Sequence, residues 1–140
     1  MTFDPAEHGW TKLDNMGFGG LVGPFWAKDE AEGRALGILT DSRHANRAGM
    51  IHGGMLMTMM DHALGYMSWH ESGRNGCVTM QLDTHFVSAG TPGDFLEARG
   101  HIIRSAKSVV FVRGEITVGD KIIMSANGIW KILPARPPKA

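Results

Sequence analysis

The stretch that decides the fold is residues 49–69, G-M-I-H-G-G-M-L-M-T-M-M-D-H-A-L-G-Y-M-S-W. It is the longest segment with a helical pattern, because its apolar side chains recur at i, i+3 and i+4 spacing. Its few polar side chains hardly form a polar face, so we expect neighbouring elements to cover the helix nearly all round. The apolar positions are Met55, Leu56, Met59, Met60, Ala63, Leu64 and Met67.

One carboxylate, Asp61, lies in the middle of this apolar segment, and two glycines, Gly53 and Gly54, lie near its start. A carboxylate in such surroundings has to be hydrogen-bonded, neutralised or functional. Asp61 and the start of the helix are therefore the first candidates for a site.

The rest of the chain predicts an antiparallel sheet. Residues 21–28 and 35–40 are typical of a hairpin, with Pro24 placing the first strand at an edge or a bulge. Four later segments alternate apolar and polar residues, which predicts strands with one buried face, and only the helix can cover that face. We expect Val78, Met80, Leu82 and Phe86 on the inner side, and Thr79 on the outer. These segments are residues 77–87, 96–102, 110–118 and 122–132.

Length and composition predict a single domain over residues 1–140, with a weakly patterned segment (1–20) and a tail (134–140) outside the sheet. Hydrophobic residues make up 43% and charged residues 20%, which argues against disorder. Fourteen basic residues balance fourteen acidic ones, so broad binding to nucleic acid is not expected. The lone Cys77 excludes an internal disulfide. With no visible signal peptide or membrane span, a cytoplasmic protein is expected.

The motif G-x-x-H-G-G at 49–54, followed by Asp61 eight residues after Gly53, resembles the hotdog-fold acyl-CoA thioesterases. The match is closest to the phenylacetate-pathway (PaaI-type) branch and covers roughly residues 34–133, with 46–61 as its specific part. The resemblance implies an α+β hotdog fold, a five- to six-stranded antiparallel sheet around one long helix. It also implies hydrolysis of acyl-CoA to a carboxylic acid and free thiol, with no metal or cofactor beyond the coenzyme A of the substrate.

The resemblance also implies roles for individual residues. The N–H of Gly53 polarises the thioester carbonyl, and Asp61 is the nucleophile or general base. Asn46 places substrate or water, His52 supports the local geometry, and Thr79 assists the attacking water. The candidate substrate-binding residues are Gly54, Met57, Arg104 and Lys107. The sequence departs from the family at the last two, since R-S-A-K-S (104–108) stands where relatives often carry a Gly-Arg turn.

The residues themselves support the two main roles. The first N–H groups of a helix have no partner inside it, and glycine lets a ligand approach them closely. Two groups acting on one carbonyl must both lie within about 3–4 Å of it. Eight helical residues separate Gly53 from Asp61 by about 12 Å. One chain cannot supply both groups, so we expect an obligate homodimer, with a homotetramer as its expected assembly.

Alternatives remain open at each position. Asp61 and His52 can be structural, and Asn46 can form an Asx turn. His62 is expected to face away from Asp61, and no histidine spacing indicates a metal site. Cys77 is expected to be a passive thiol. Two other functions are also compatible with the fold: a 2-enoyl-CoA hydratase or acyl-carrier-protein dehydratase, and a non-catalytic acyl-CoA binding module.

Overall fold

A seven-stranded antiparallel sheet packs against one long helix in the computed structural model, which describes residues 2–135. The strands lie in the order β1-β2-β3-β5-β6-β7-β4. Residues 136–140 of the predicted tail lie outside the described residues. The strands are β1 (Thr11–Lys12), β2 (Trp26–Glu30), β3 (Gly33–Leu39), β4 (Cys77–Phe86), β5 (Phe95–Ser105), β6 (Val109–Val118) and β7 (Lys121–Ile132); the helices are α1 (Gly17–Val22) and α2 (Gly53–Glu71), with 3-10 turns at Pro5–His8 and Ser42–His44.

The helix α2 packs on the centre of the sheet at two glycines that face each other on neighbouring strands. Gly100 of β5 pairs with Gly114 of β6. A Cβ at either position would lie 2.8–2.9 Å from Leu64 Cδ2, which is too close for any side chain. These glycines therefore let α2 lie directly on the sheet, and Met59, Met60 and Leu64 of the helix are fully buried there.

The other side of α2 is not covered by its own chain. Met57 is 37% exposed, Gly54 is exposed, and Thr58 and Asp61 are half-buried. The expectation that the helix is covered nearly all round is therefore wrong for a single chain. The sheet covers one side only and leaves open a strip formed by Gly54, Met57, Thr58 and Asp61.

The region before α2 also differs from the sequence prediction. The sheet has one strand more than the predicted maximum, because the weakly patterned first twenty residues contribute β1. Leu21 and Val22 end the short helix α1 and do not begin a strand. The hairpin is real but starts later, since β2 begins at Trp26, after Pro24.

A bulge in β4 changes which of its side chains face α2. Thr79 pairs with Trp130 and Gln81 pairs with Ile129, so Met80 is the extra residue. Trp130 belongs to the core, and its cross-strand partner Thr79 therefore lies on the helix side. Val78 and Met80 are 48% and 60% exposed, so their predicted inner positions are wrong.

Candidate active site

The start of α2 presents one free backbone donor. His52 is the N-cap residue, and its Nδ1 accepts the N–H of Gly54 at 2.8 Å. The N–H of Gly53 has no hydrogen-bond partner within residues 2–135. Because a helix N-terminus favours negative charge, this N–H is suited to bind a developing oxyanion.

Gly54 is required by its contact with His52. A Cβ at Gly54 would lie 2.9 Å from Nδ1 of His52, the same atom that accepts the Gly54 N–H. Any other residue would displace the imidazole and the cap. In the structure, Gly54 therefore shapes the helix start and His52 caps it, while the supporting role in catalysis that the resemblance implies for His52 stays a prediction.

Asn46 closes the loop that leads to the helix. Its Oδ1 accepts the N–H groups of Ala48 at 2.9 Å and Met50 at 3.1 Å. This is the local turn that the sequence left open as an alternative to substrate contact. The Nδ2 of Asn46 donates to no group in the described part of the chain, so the amide retains one side that could bind a ligand.

Asp61 and Thr79 come together across the boundary between α2 and β4. Thr79 Oγ1 donates a hydrogen bond to Oδ1 of Asp61 at 2.6 Å. The expected outward orientation of Thr79 is therefore wrong, and the bulge at Met80 is the reason. Among the described residues, Oδ2 of Asp61 has no hydrogen-bond partner, so one oxygen remains available for chemistry.

The remaining predicted site residues are not assembled within one chain. Gly53 and Asp61 lie on the same continuous helix, about 12 Å apart along its axis. Met57 is exposed on α2 outside the cleft described below. Arg104 and Lys107 are exposed where β5 ends and in the turn after it. A Cβ at Gly100, four residues before Arg104, would lie 2.8 Å from Leu64 Cδ2 and 3.2 Å from Met67 Sδ, so this part of β5 faces the C-terminal half of α2 and not its start.

A cleft of about 540 Å³ opens beside the first two turns of α2. The sequence did not predict its outer wall, α1, because residues 1–20 have only a weak pattern and residues 21–28 resemble a strand. Its lining residues are Phe18, Leu21, Val22, Arg43, His44, Ala45, His52, Gly54, Met55 and Thr58.

Two basic side chains hold the C-terminal end of α1, which forms the outer wall of the cleft. Arg43 donates to the carbonyl oxygens of Leu21 at 3.0 Å and Gly23 at 2.9 Å. The buried His44 donates from Nε2 to Val22 O at 2.6 Å, while its Nδ1 accepts the N–H of Asp41. These bonds cap the last carbonyls of α1, which a six-residue helix with three glycines needs.

Two further side chains beside Asp61 are poor candidates for chemistry. Burial, and to a smaller extent the nearby Asp61 carboxylate, raise the pKa of the Cys77 thiol, which disfavours the thiolate. His62 lies beneath α1, with its ring 5.0 Å from that of Phe25, and burial lowers its pKa while Asp61 acts weakly in the opposite sense. Both observations agree with the passive roles expected for these residues.

Within residues 2–135, no group of three or more His, Cys, Asp or Glu side chains is placed to hold a metal ion. No helix in the same range is long and apolar enough to span a membrane.

Comparison with known proteins gives a consistent result. A family model described as Thioesterase superfamily matches residues 48–124. The Pseudomonas aeruginosa protein PA0474, named as a proposed esterase, is 28% identical over 80% of this chain and 85% of its own length.

Solved structures share the fold. The Bacillus halodurans protein BH2602, solved with CoA, has a TM-score of 0.72 at 24% identity, over 79% of this chain and 74% of that chain. The E. coli PaaI protein of the phenylacetic acid degradation operon has a TM-score of 0.65 at 18% identity, over 72% of each chain. These likenesses confirm the predicted hotdog fold.

Proposed function

The chain belongs to the thioesterase superfamily, as the resemblance predicted, and from that premise we propose that it hydrolyses acyl-CoA thioesters to a carboxylic acid and free CoA. The observation that carries the proposal is the Asp61 carboxylate of α2, which accepts a hydrogen bond from Thr79 Oγ1 at 2.6 Å. The first N–H of the same helix, that of Gly53, has no partner among the described residues. A CoA substrate is supported by the CoA in the structure of BH2602, which has the same fold.

Each active site in this proposal uses two subunits. Gly53 of one subunit binds the thioester oxygen, and Asp61 of the partner subunit acts on the carbonyl carbon. Two features support a homodimer: the uncovered strip of α2, and β4, a ten-residue strand at the edge of the sheet with exposed Val78 and Met80. An exposed edge of this length is normally paired or protected. A tetramer and a cytoplasmic location are part of the same proposal.

Two chemical routes use the same residues. In one, Asp61 attacks the carbonyl carbon, the C–S bond breaks, CoA leaves, and water then hydrolyses the acyl-aspartyl anhydride. In the other, Asp61 takes a proton from water as the water attacks, and returns it to the departing CoA thiolate. In both routes the carbonyl oxygen becomes negative, and the Gly53 N–H and helix dipole stabilise that charge without metal or cofactor. Thr79 orients the carboxylate.

Release of free thiol from a panel of aromatic, branched and straight-chain acyl-CoA thioesters tests the proposal. We expect Asp61→Asn to lower kcat by about 10²–10⁴-fold, because the asparagine can neither attack nor accept a proton. Asp29→Asn is the matched control and should keep full activity, since Asp29 is exposed on β2, near the edge of the sheet opposite to β4, and is hydrogen-bonded to Arg34.

Three outcomes would contradict this function. Full activity of Asp61→Asn would show that Asp61 takes no part in the reaction. Hydration of crotonyl-CoA without thiol release would indicate the hydratase or dehydratase chemistry of the same fold. Binding of acyl-CoA without turnover of any member of the panel would indicate a binding module.

A further inference from the structure

We infer that the cleft between α1 and α2 binds the acyl group of the substrate, and that Phe18 and Leu21 of α1 select apolar acyl chains of medium length. This inference rests on the proposed thioesterase function and names the substrate class that the site would take. It adds a specificity element that the sequence did not indicate.

The position of the cleft matches the expected position of the thioester. His52 and Gly54, on either side of Gly53, both line it. A thioester whose oxygen binds the Gly53 N–H therefore has its carbonyl carbon at the mouth of the cleft. Gly53 itself is not part of the lining, but either group attached to that carbon, the acyl chain or the sulfur of CoA, is then close enough to enter the cleft.

The chemistry of the lining favours the acyl chain. Phe18, Leu21, Val22, Ala45 and Met55 present apolar surface. Each polar side chain of the lining already makes at least one hydrogen bond within the protein: Arg43 and His44 to carbonyls at the end of α1, His52 Nδ1 to the Gly54 N–H, and Thr58 Oγ1 to Gly54 O. The pantetheine arm of CoA carries amides that need polar partners, whereas an acyl chain needs none.

The exposure of α1 indicates the size of the acyl group. Phe18 is 59% exposed and Leu21 is 71% exposed, although both are large and apolar. An acetyl group at the helix start would leave this surface in water, whereas a longer chain would cover it, which is favourable. The volume of about 540 Å³ lies in the range of small-molecule sites, about 300–1,000 Å³.

The wall is held in place, so its side chains can discriminate between chain lengths. Its last carbonyls are bonded to Arg43 and His44. On its inner side, a Cβ at Gly19 would lie 3.2 Å from His62 Cε1, so α1 packs closely on α2.

Two substitutions in α1 test the inference. Leu21→Trp narrows the cleft and Phe18→Ala widens it. Met16→Trp is the matched control, because Met16 flanks α1, is 84% exposed and does not line the cleft. The measurement is kcat/KM for acetyl-, hexanoyl- and dodecanoyl-CoA.

We expect Leu21→Trp to lower kcat/KM for dodecanoyl-CoA by at least about tenfold while acetyl-CoA changes by less than about twofold. Phe18→Ala should shift the preferred chain length, and Met16→Trp should leave the wild-type profile. An unchanged profile in both α1 variants, or an equal loss for every chain length, would overturn the inference while leaving the thioesterase function intact.

A direct binding measurement separates this inference from the function itself. Calorimetric titration with dodecanoate should show binding to the wild type and to Met16→Trp, weakened at least about tenfold in Leu21→Trp. If the wild type turns over no acyl-CoA, the proposed function fails, but this titration still decides whether α1 contacts an acyl chain. Equal dodecanoate affinity in all variants would overturn the inference.

Discussion

Asp61 is held by a single short hydrogen bond, donated by Thr79 Oγ1 at 2.6 Å. The bond fixes Oδ1 and orients the carboxylate, while Oδ2 keeps its lone pairs, since it has no partner between residues 2 and 135. A carboxylate that must attack a carbonyl or accept a proton needs both properties. It has to be oriented, and it has to keep one free oxygen.

Replacing Thr79 by valine removes the hydroxyl and keeps the β-branched shape. We expect Thr79→Val to lower kcat for acyl-CoA hydrolysis by about 10- to 100-fold, the worth of one hydrogen bond to a charged group. Thr79→Ser retains the hydroxyl and should stay within a few-fold of wild type. Steady-state thiol release measures both variants, and a fully active Thr79→Val would show that the bond has no part in turnover.

His62 makes stability depend on pH, because burial lowers its pKa below the ordinary value of 6.5. Below that value the unfolded chain binds a proton that the folded chain resists. The free energy of unfolding should therefore be highest above about pH 6.5 and fall as the pH drops through the lowered pKa. Urea unfolding at pH 7.5 and pH 5.0 measures the difference, which should be smaller in His62→Gln. An exposed histidine, His101, provides the control His101→Gln, and equal differences in all three proteins would contradict the role of burial.

At the scale of elements, α2 could be predicted and α1 could not. The apolar residues from Met55 to Met67 recur with helical spacing, so α2 could be predicted from its own sequence. The motif at its start made Gly53 and Asp61 candidate site residues. The residues of α1, G-F-G-G-L-V, have poor helix propensity. The carbonyls at its end are held by Arg43 and His44, about twenty residues later in the chain. No local pattern reports such contacts.

The orientation of Thr79 could not be predicted from a local pattern either, because of the bulge in β4. Alternation along residues 77–87 predicts one continuous phase. After the bulge it places Leu82 and Phe86 on the helix side as predicted, although Phe86 is 54% exposed beside the start of α2. One extra residue at Met80 exchanges the two faces of the sheet for the residues before it, so Thr79 faces the helix and contacts the Asp61 carboxylate. The sequence contains no glycine or proline there to indicate the bulge. The role proposed for Thr79 thus comes from the resemblance, and its orientation only from the pairing with Trp130.

At the scale of the whole molecule, the uncovered strip of α2 and the free edge of β4 lie side by side, because Asp61 and Thr79 join them. In the proposed dimer, a second copy added at β4 would continue the sheet and bring its own α2 alongside. The helix N-terminus of each copy would then meet the middle of the other helix. The spacing within α2 predicts this arrangement, because the rise of a helix is regular.

Gly53 offers a way to remove one half of the proposed site without unfolding the helix. Proline is well tolerated at the first position of a helix, and it requires an extended residue before it. His52 already has φ −60° and ψ 133°, so Gly53→Pro should fold while losing the N–H. Gly53→Ala is the matched control, because it keeps the N–H and adds the same Cβ, 3.3 Å from Phe86 Cε1.

Mixed dimers then test the shared site. Gly53→Pro and Asp61→Asn should each be nearly inactive alone, since each removes one group from both sites of a dimer. A heterodimer of the two, co-expressed with different affinity tags and purified through both, should recover about half of the wild-type kcat, because one of its two sites keeps Gly53 from one subunit and Asp61 from the other. If each chain completed its own site, the heterodimer would contain only damaged sites and stay inactive. Recovery in the mixture but in neither parent can arise only from a site that spans the two helices.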